Sequence, residues 1–188
     1  MRKLKLQVQM SVDGFVAGPN GELDWMVWDW DDDLKSYVGQ LTESIDTILL
    51  GRKMVDGFIT HWTEVAGNPD HPEHAAGVKF VETPKVVFSR TLSKSNWENT
   101  TLASGDLPTE VNQLKSQAGN DMIVYGGASL VSALIQAGLI DELYLFVNPV
   151  VLGSGLTIFK DVDQRLDLRL MKSIPFDCGI LLLHYELA

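Results

Sequence analysis

At 188 residues the chain is long enough to bury one substantial core, and its 45% hydrophobic and 21% charged composition is that of one ordinary globular domain. A formal net charge of -10, with no cluster of Lys and Arg, excludes general affinity for nucleic acid or anionic membrane. Cys178 is the only cysteine, which excludes an intrachain disulfide and a multi-cysteine metal site, so any redox chemistry needs a cofactor.

The opening "MRKLKLQVQM" alternates polar and apolar residues through Leu4, Leu6, Val8 and Met10, the pattern of a strand rather than of a signal peptide's unbroken apolar centre. A cytoplasmic protein is expected. The turn-rich "SVDGFVAGPNGELDW" follows, then "DDDLKSYVGQL", whose three leading acids suit the positive end of a helix carrying Leu34, Tyr37, Val38 and Leu41 at helical spacing. "IDTILLGRKMVDGFI" reads as a buried strand, a Gly turn and a second helix. From His61 to Thr83 no periodicity is sustained and Gly, Asn and Pro recur, so a long loop, or a loop with one short helix, is expected.

"PKVVFSRTL" is the next strand, "LPTEVNQLKSQAG" a helix and "DMIVYGG" another strand. "ASLVSALIQAGLI" puts Leu130, Val131, Leu134 and Ile135 on one helical face closed by Gly138, and "DELYLFVNPVVLGSG" is a strand broken by Pro149. "RLDLRLMKSI" and "CGILLLHYEL" supply two final strands. Alternating strands and helices followed by strands alone predict a single α/β domain over residues 1–188, with a mostly parallel sheet and antiparallel strands at the C-terminal end.

In an open α/β sheet ligands bind outside the carboxyl ends of the strands, which directs attention to "MSVDGFVAG", "LLGRKM", "FSRT" and "YGGASL". At "YGGASL" the unpaired N–H groups of a helix start, behind two residues without side chains, could cradle an anion; a sharp packing turn is the alternative. Arg52, just past one strand, and Ser89 with Arg90, just past the next, could bind a second phosphate through charge-assisted hydrogen bonds. Separated phosphates fit NADPH, with its pyrophosphate on the glycines and its 2′-phosphate on the arginines.

These four junctions together resemble the dihydrofolate reductase-like superfamily, and within it the reductase domain of the riboflavin-biosynthesis deaminase-reductase and its stand-alone relatives. "SVDGFVAG", "LLGRKM", "VVFSRTL" and above all "VYGGASLVSALIQAGLIDELYLFVNPVVLGSG" carry the resemblance across essentially the whole chain. It implies a three-layer α/β/α fold, a homodimer and an NADPH-dependent oxidoreductase. By it, Gly126, Gly127, Ala128, Ser129 and Leu130 hold the pyrophosphate, with a cis peptide between the two glycines. Arg52, Lys53, Ser89 and Arg90 meet the adenosine 2′-phosphate side, Gly51 belongs to the same cofactor site, and Val16 and Ala17 border the nicotinamide.

The implied substrate is a small nitrogen heterocycle or a ribosylaminopyrimidine, as for 5-amino-6-(5-phosphoribosylamino)uracil reductase. Asp33 lies near the helical position where dihydrofolate reductases carry the acid that serves protonation; Asp31 and Asp32 compete with it, and three acids opening a helix are the plain alternative. No arginine occurs between Arg52 and Arg90, and Phe146 stands where dihydrofolate reductases have a threonine, so a genuine dihydrofolate reductase is the less favoured alternative. A non-catalytic dimeric module that binds a nucleotide or a partner is another. Trp28 and Trp62, with Trp25, Trp30 and His61, could stack on a planar heterocycle or plug the core or an interface. His71, Glu73 and His74 lie in a proline-containing loop without helical ligand spacing, so no metal is expected.

Overall fold

The computed structural model describes residues 1–160 and 162–188. The opening alternation forms strand β1 (Leu4–Ser11), with Leu4, Leu6, Val8 and Met10 buried on one side and half-buried Lys5, Gln7 and Gln9 on the other. Helix α1 (Asp32–Glu43) begins where the Asp31 carboxylate accepts the Leu34 N–H at 2.8 Å, so the first of the three acids is its cap. Strand β2 (Ile45–Gly51) runs directly into α2 (Arg52–Ala66). Strand β3 (Lys85–Phe88), α4 (Leu107–Ser116), β5 (Asp121–Gly126), α5 (Ala128–Gln136) and β6 (Glu142–Asn148) follow as the periodicity predicts. Strands β7 (Leu168–Pro175) and β8 (Leu181–Leu187) close the chain.

Two segments differ from the expectation. Most of the stretch from His61 to Thr83 is helical: α2 continues to Ala66, and α3 (His74–Glu82) occupies the second half. The stripe Val55, Phe58, Ile59, Trp62 and Val65 extends α2 past its expected end. Gly77 makes the second helix possible, because a Cβ there would stand 2.8 Å from the Ala66 nitrogen where the two helices cross. The short strand β4 (Thr100–Ala103), hidden in sequence behind a polar turn, pairs with β3 from Lys85/Thr100 to Phe88/Ala103.

The eight strands form one sheet in the order β4-β3-β2-β5-β1-β6-β8-β7. The pairs from β4 to β6 are parallel, and β6–β8 and β8–β7 are antiparallel. Helices α4 and α5 cover one face, through a core of Leu4, Leu6, Val111, Val131, Leu134 and Leu143. On the opposite face α1 packs over Phe146 and Leu182, while α2 and α3 pack over Ile48, Leu50 and Ile123. This is the three-layer α/β/α architecture.

The second face therefore has two separate apolar clusters, with the Lys5–Gln7–Gln9 side of β1 lying between them. The outer strand β7 is exposed along seven of its eight residues, Leu168, Leu170 and Met171 among them. Among the described residues no helix is long and apolar enough to cross a membrane.

Candidate active site

Strand order decides which junctions meet. Because β3, β2, β5 and β1 are consecutive neighbours and mutually parallel, their carboxyl ends form one row. Ser89 and Arg90 leave β3, Gly51, Arg52 and Lys53 leave β2, Gly126 to Leu130 leave β5, and the loop holding Val16 and Ala17 leaves β1. All four junctions singled out in the sequence lie along one edge of the sheet.

The middle of the row is built from glycine. A Cβ on Gly51 would stand 2.8 Å from the Gly127 nitrogen, so β2 and the start of α5 approach as only glycine permits. Gly126 has a φ of +141°, a region that side-chain-bearing residues avoid, and its peptide bond to Gly127 is cis. Gly127, in contrast, has no heavy atom within 4 Å of where its Cβ would be. The backbone there faces open space.

Helices α2 and α5 begin on Gly51 and Gly127 without a side-chain cap and without an acid in the first turn. Helices α1 and α4 are capped by Asp31 and Asp106 and carry acids in their first turns. In a chain of net charge -10, the two helices that start at the ligand edge keep their N–H groups free and their positive ends unneutralised. An anion fits this pair of termini, and the open backbone at Gly127 leaves it room.

Arg52 opens α2 and is held in place rather than loose. One guanidinium nitrogen lies 2.9 Å from the Asp56 carboxylate, and the group sits 5.6 Å from the centre of the Trp97 ring, whose Nε1 donates to Asp56 at 3.0 Å. Its side chain remains 40% exposed, leaving donors free for a phosphate. Lys53 and Arg90 are exposed as well. Ser89 is buried, and its Oγ accepts the Leu92 N–H at 3.1 Å and the Thr91 N–H at 3.3 Å, so this hydroxyl shapes the turn that presents Arg90.

At the other end of the row, the Val16 N–H donates to Leu156 O at 2.8 Å and the Leu156 N–H to Ala17 O at 2.9 Å. The Asp13 carboxylate accepts from the Ser11 hydroxyl at 2.7 Å and from the N–H groups of Gly153 and Leu152 at 2.7 and 3.1 Å. The Ser11 bond first, and those two backbone bonds with it, hold the Asp13 carboxyl below the usual range. Thus "SVDG" and "VLGSG", remote in sequence, form one clasp around the expected nicotinamide border.

The aromatic set divides. Trp30 joins the cluster under α1, while Trp62 packs on Phe80 with ring centres 4.3 Å apart. Trp28 is 63% exposed and is not brought against Trp62, so no stacking pair exists between the two. Asp33 is exposed on the first turn of α1, and the inward-facing acid of the run is Asp31, already bonded to Leu34 N–H and Cys178 N–H. His71 accepts the Glu73 N–H at 3.1 Å in the turn before α3.

Asn148 and Trp97 escaped the sequence reading. Asn148 is fully buried, accepts the Val27 N–H at 2.8 Å and donates to Gln9 Oε1 at 2.7 Å, which ties the Trp-rich loop to β1. The "NP" pair marked it only as a strand end. Trp97 sits in a polar turn, and nothing local links it to Arg52.

Comparison with known proteins agrees with this geometry. The model of the RibD C-terminal domain matches residues 2–182. The uncharacterized protein YyaP of Bacillus subtilis is 36% identical over 187 residues, covering 98% of this chain and 95% of YyaP. The deaminase/5-amino-6-(5-phosphoribosylamino)uracil reductase of Thermotoga maritima superposes with a TM-score of 0.70 at 17% identity, covering 100% of this chain and 57% of that one. Dihydrofolate reductase from Enterococcus faecalis, in complex with NADP(H), gives a TM-score of 0.62 at 17% identity over 98% of this chain and 96% of its own. The fold is dihydrofolate reductase-like, and the chain belongs to the RibD C-terminal domain family.

Proposed function

We propose that this protein is an NADPH-dependent reductase that transfers hydride to a small nitrogen heterocycle. The observation that carries the reading is the pair of uncapped, acid-free helix starts at Gly51 and Gly127, side by side at the ligand edge of the sheet. The Thermotoga relative is named for a reductase activity, and the Enterococcus enzyme of the same fold was solved with NADP(H). In this reading the N–H groups of Ala128, Ser129 and Leu130 hold the pyrophosphate, and Arg52, with Lys53 and Arg90, takes the 2′-phosphate. Val16 and Ala17 close on the nicotinamide, clasped by Asp13. When bound, the reduced nicotinamide supplies the hydride. The protein's part is to orient that ring at the carboxyl ends of the strands and to exclude water there.

Calorimetric titration with NADPH and NADH tests this. NADPH should bind in the submicromolar range and NADH much more weakly; Arg52→Ala should weaken NADPH by about tenfold or more and leave NADH nearly unchanged, since only NADPH carries the 2′-phosphate. Binding of neither cofactor by the wild-type protein overturns the reading.

The homodimer implied by the family has a natural seat on β7. This edge strand keeps free backbone groups and exposes Leu168, Leu170 and Met171, and edges of that kind pair with another strand. Sedimentation at the mass of two 20.8 kDa chains is the expected result, and a monomer at micromolar concentration contradicts it.

A further inference from the structure

Opposite charges four residues apart on an exposed helix face usually form a weak, interchangeable pair, and Arg52 with Asp56 on α2 has that spacing. A third side chain, from a distant part of the sequence, sets this pair apart. The Asp56 carboxylate divides its two oxygens: Oδ2 accepts from the Arg52 guanidinium at 2.9 Å, and Oδ1 accepts from the Trp97 Nε1–H at 3.0 Å. The guanidinium also lies 5.6 Å from the centre of the Trp97 ring, so the indole meets both members of the pair. Trp97 is itself held independently of them. The Ser95 hydroxyl donates to Trp97 O at 3.1 Å and accepts the Trp97 N–H at 3.2 Å, and the ring packs against the cluster under α2 and α3. Asn99 O, two residues further on, accepts the Lys85 N–H at 2.9 Å where β3 begins. The connection from β3 to β4 thus presents the indole from a fixed base, and its other end carries Ser89 and Arg90.

An aspartate within reach of an arginine that is to bind a phosphate is a rival for it. A carboxylate free to turn takes two parallel N–H groups of a guanidinium, and a phosphate seeks the same fork. Here the indole holds Oδ1, so Oδ2 alone meets Arg52. Among the described residues Asp56 is the one acid paired with Arg52, and a guanidinium has five N–H donors, so this single contact leaves most of them for a ligand. Turning the carboxylate to make the second bond would break the one to Trp97.

We propose that Trp97 is a positioning residue for cofactor choice: its Nε1–H holds the Asp56 carboxylate to a single contact with Arg52, and this sets the preference for NADPH over NADH. The inference rests on the reductase reading, in which Arg52 takes the 2′-phosphate, and it names what keeps that arginine available. NADH carries no phosphate at this position, so its affinity does not depend on how many Arg52 donors are free.

The test is calorimetry with NADPH and with NADH on the whole chain, for the wild type, Trp97→Phe, Asp56→Asn and the double variant. Trp97→Phe keeps a ring but loses the N–H, and it should weaken NADPH by about fivefold or more while leaving NADH unchanged. Asp56→Asn has no carboxylate to restrain and should tighten NADPH by roughly twofold or more. Adding Trp97→Phe to Asp56→Asn should then move the ratio of the two affinities by less than about twofold, because Trp97 acts through that carboxylate. Asp56 is 63% exposed, so Asp56→Asn reads the proposal by itself should Trp97→Phe fail to fold. An unchanged ratio in Trp97→Phe, an equal loss of both cofactors, NADPH not tightened by Asp56→Asn, or a Trp97→Phe loss that persists without the carboxylate overturns the proposal. Binding of neither cofactor by the wild type overturns the reductase reading and this proposal with it, whereas an NADPH-selective wild type with an unchanged Trp97→Phe ratio overturns this proposal alone.

Discussion

The two ends of the parallel sheet are made from opposite chemistry. At the amino ends of the strands, charges are spent on one another: Arg2 pairs with Asp46, Lys3 with Glu142, Lys5 with Asp121 and Lys115 with Asp141. Arg2 also donates to Thr47 Oγ1 at 2.7 Å and to Asn120 O at 2.6 Å, which ties β2 to the turn before β5. At the carboxyl ends the helices α2 and α5 start on bare glycine, and Arg52, Lys53 and Arg90 keep exposed donors. One end closes the fold. The other leaves hydrogen-bonding capacity free for a ligand, so substitutions at the two ends should separate stability from binding.

The largest effect is expected where the two properties share an atom. Gly51→Ala drives a Cβ against the Gly127 nitrogen, backbone on backbone, and should lower stability by about 1–3 kcal/mol while also abolishing submicromolar NADPH binding. Denaturant unfolding and calorimetry on one preparation check both. Next, Arg2→Ala should cost about 2 kcal/mol of stability, less than a fully buried pair would, because Asp46 keeps 35% of its side chain in water. Here NADPH affinity should be unchanged, and a parallel loss of binding would contradict the division between the two ends.

Which of these features is legible in the sequence depends on range. Helix starts and strand–glycine junctions are local: "LLGRKM" and "YGGASL" announce their turns through the residues that make them. The clasp between Asp13 and Leu152–Gly153 joins residues 139 and 140 positions apart, and neither half shows the other until β1 and β6 pair. In sequence Gln7 and Gln9 are only the polar alternates of a strand, because strand order, which puts β1 inside the sheet, is not written in local alternation. The stretch 61–83 hid α3 for a related reason: Gly77 looks like a helix breaker until it is seen as the crossing point with α2. The acidic run marks a helix start, but the side of the helix that Asp33 occupies follows from Asp31 taking the cap.

A smaller effect should appear in the pH dependence of stability. Lys85, at the start of β3, is 4% exposed and donates to Val81 O and Thr83 O, and burial lowers its pKa from 10.5 to about 8. The unfolded chain then holds a proton that the folded chain has released between those values, so stability rises as pH goes from about 8 to 10.5. The gain is full above 10.5 and lost as pH falls through about 8. Lys85→Met should flatten that rise in urea unfolding curves measured across the interval, and an unaltered slope would assign it to another group.

An anionic cofactor on the start of α5 would be felt first at Gly127. Its Cβ position is open within 4 Å and its φ is -79°, so alanine fits the fold there and protrudes only into the space assigned to the pyrophosphate. For Gly127→Ala an unchanged melting temperature and NADPH binding weakened by about tenfold or more are expected. Wild-type NADPH affinity in a folded Gly127→Ala protein would contradict that placement.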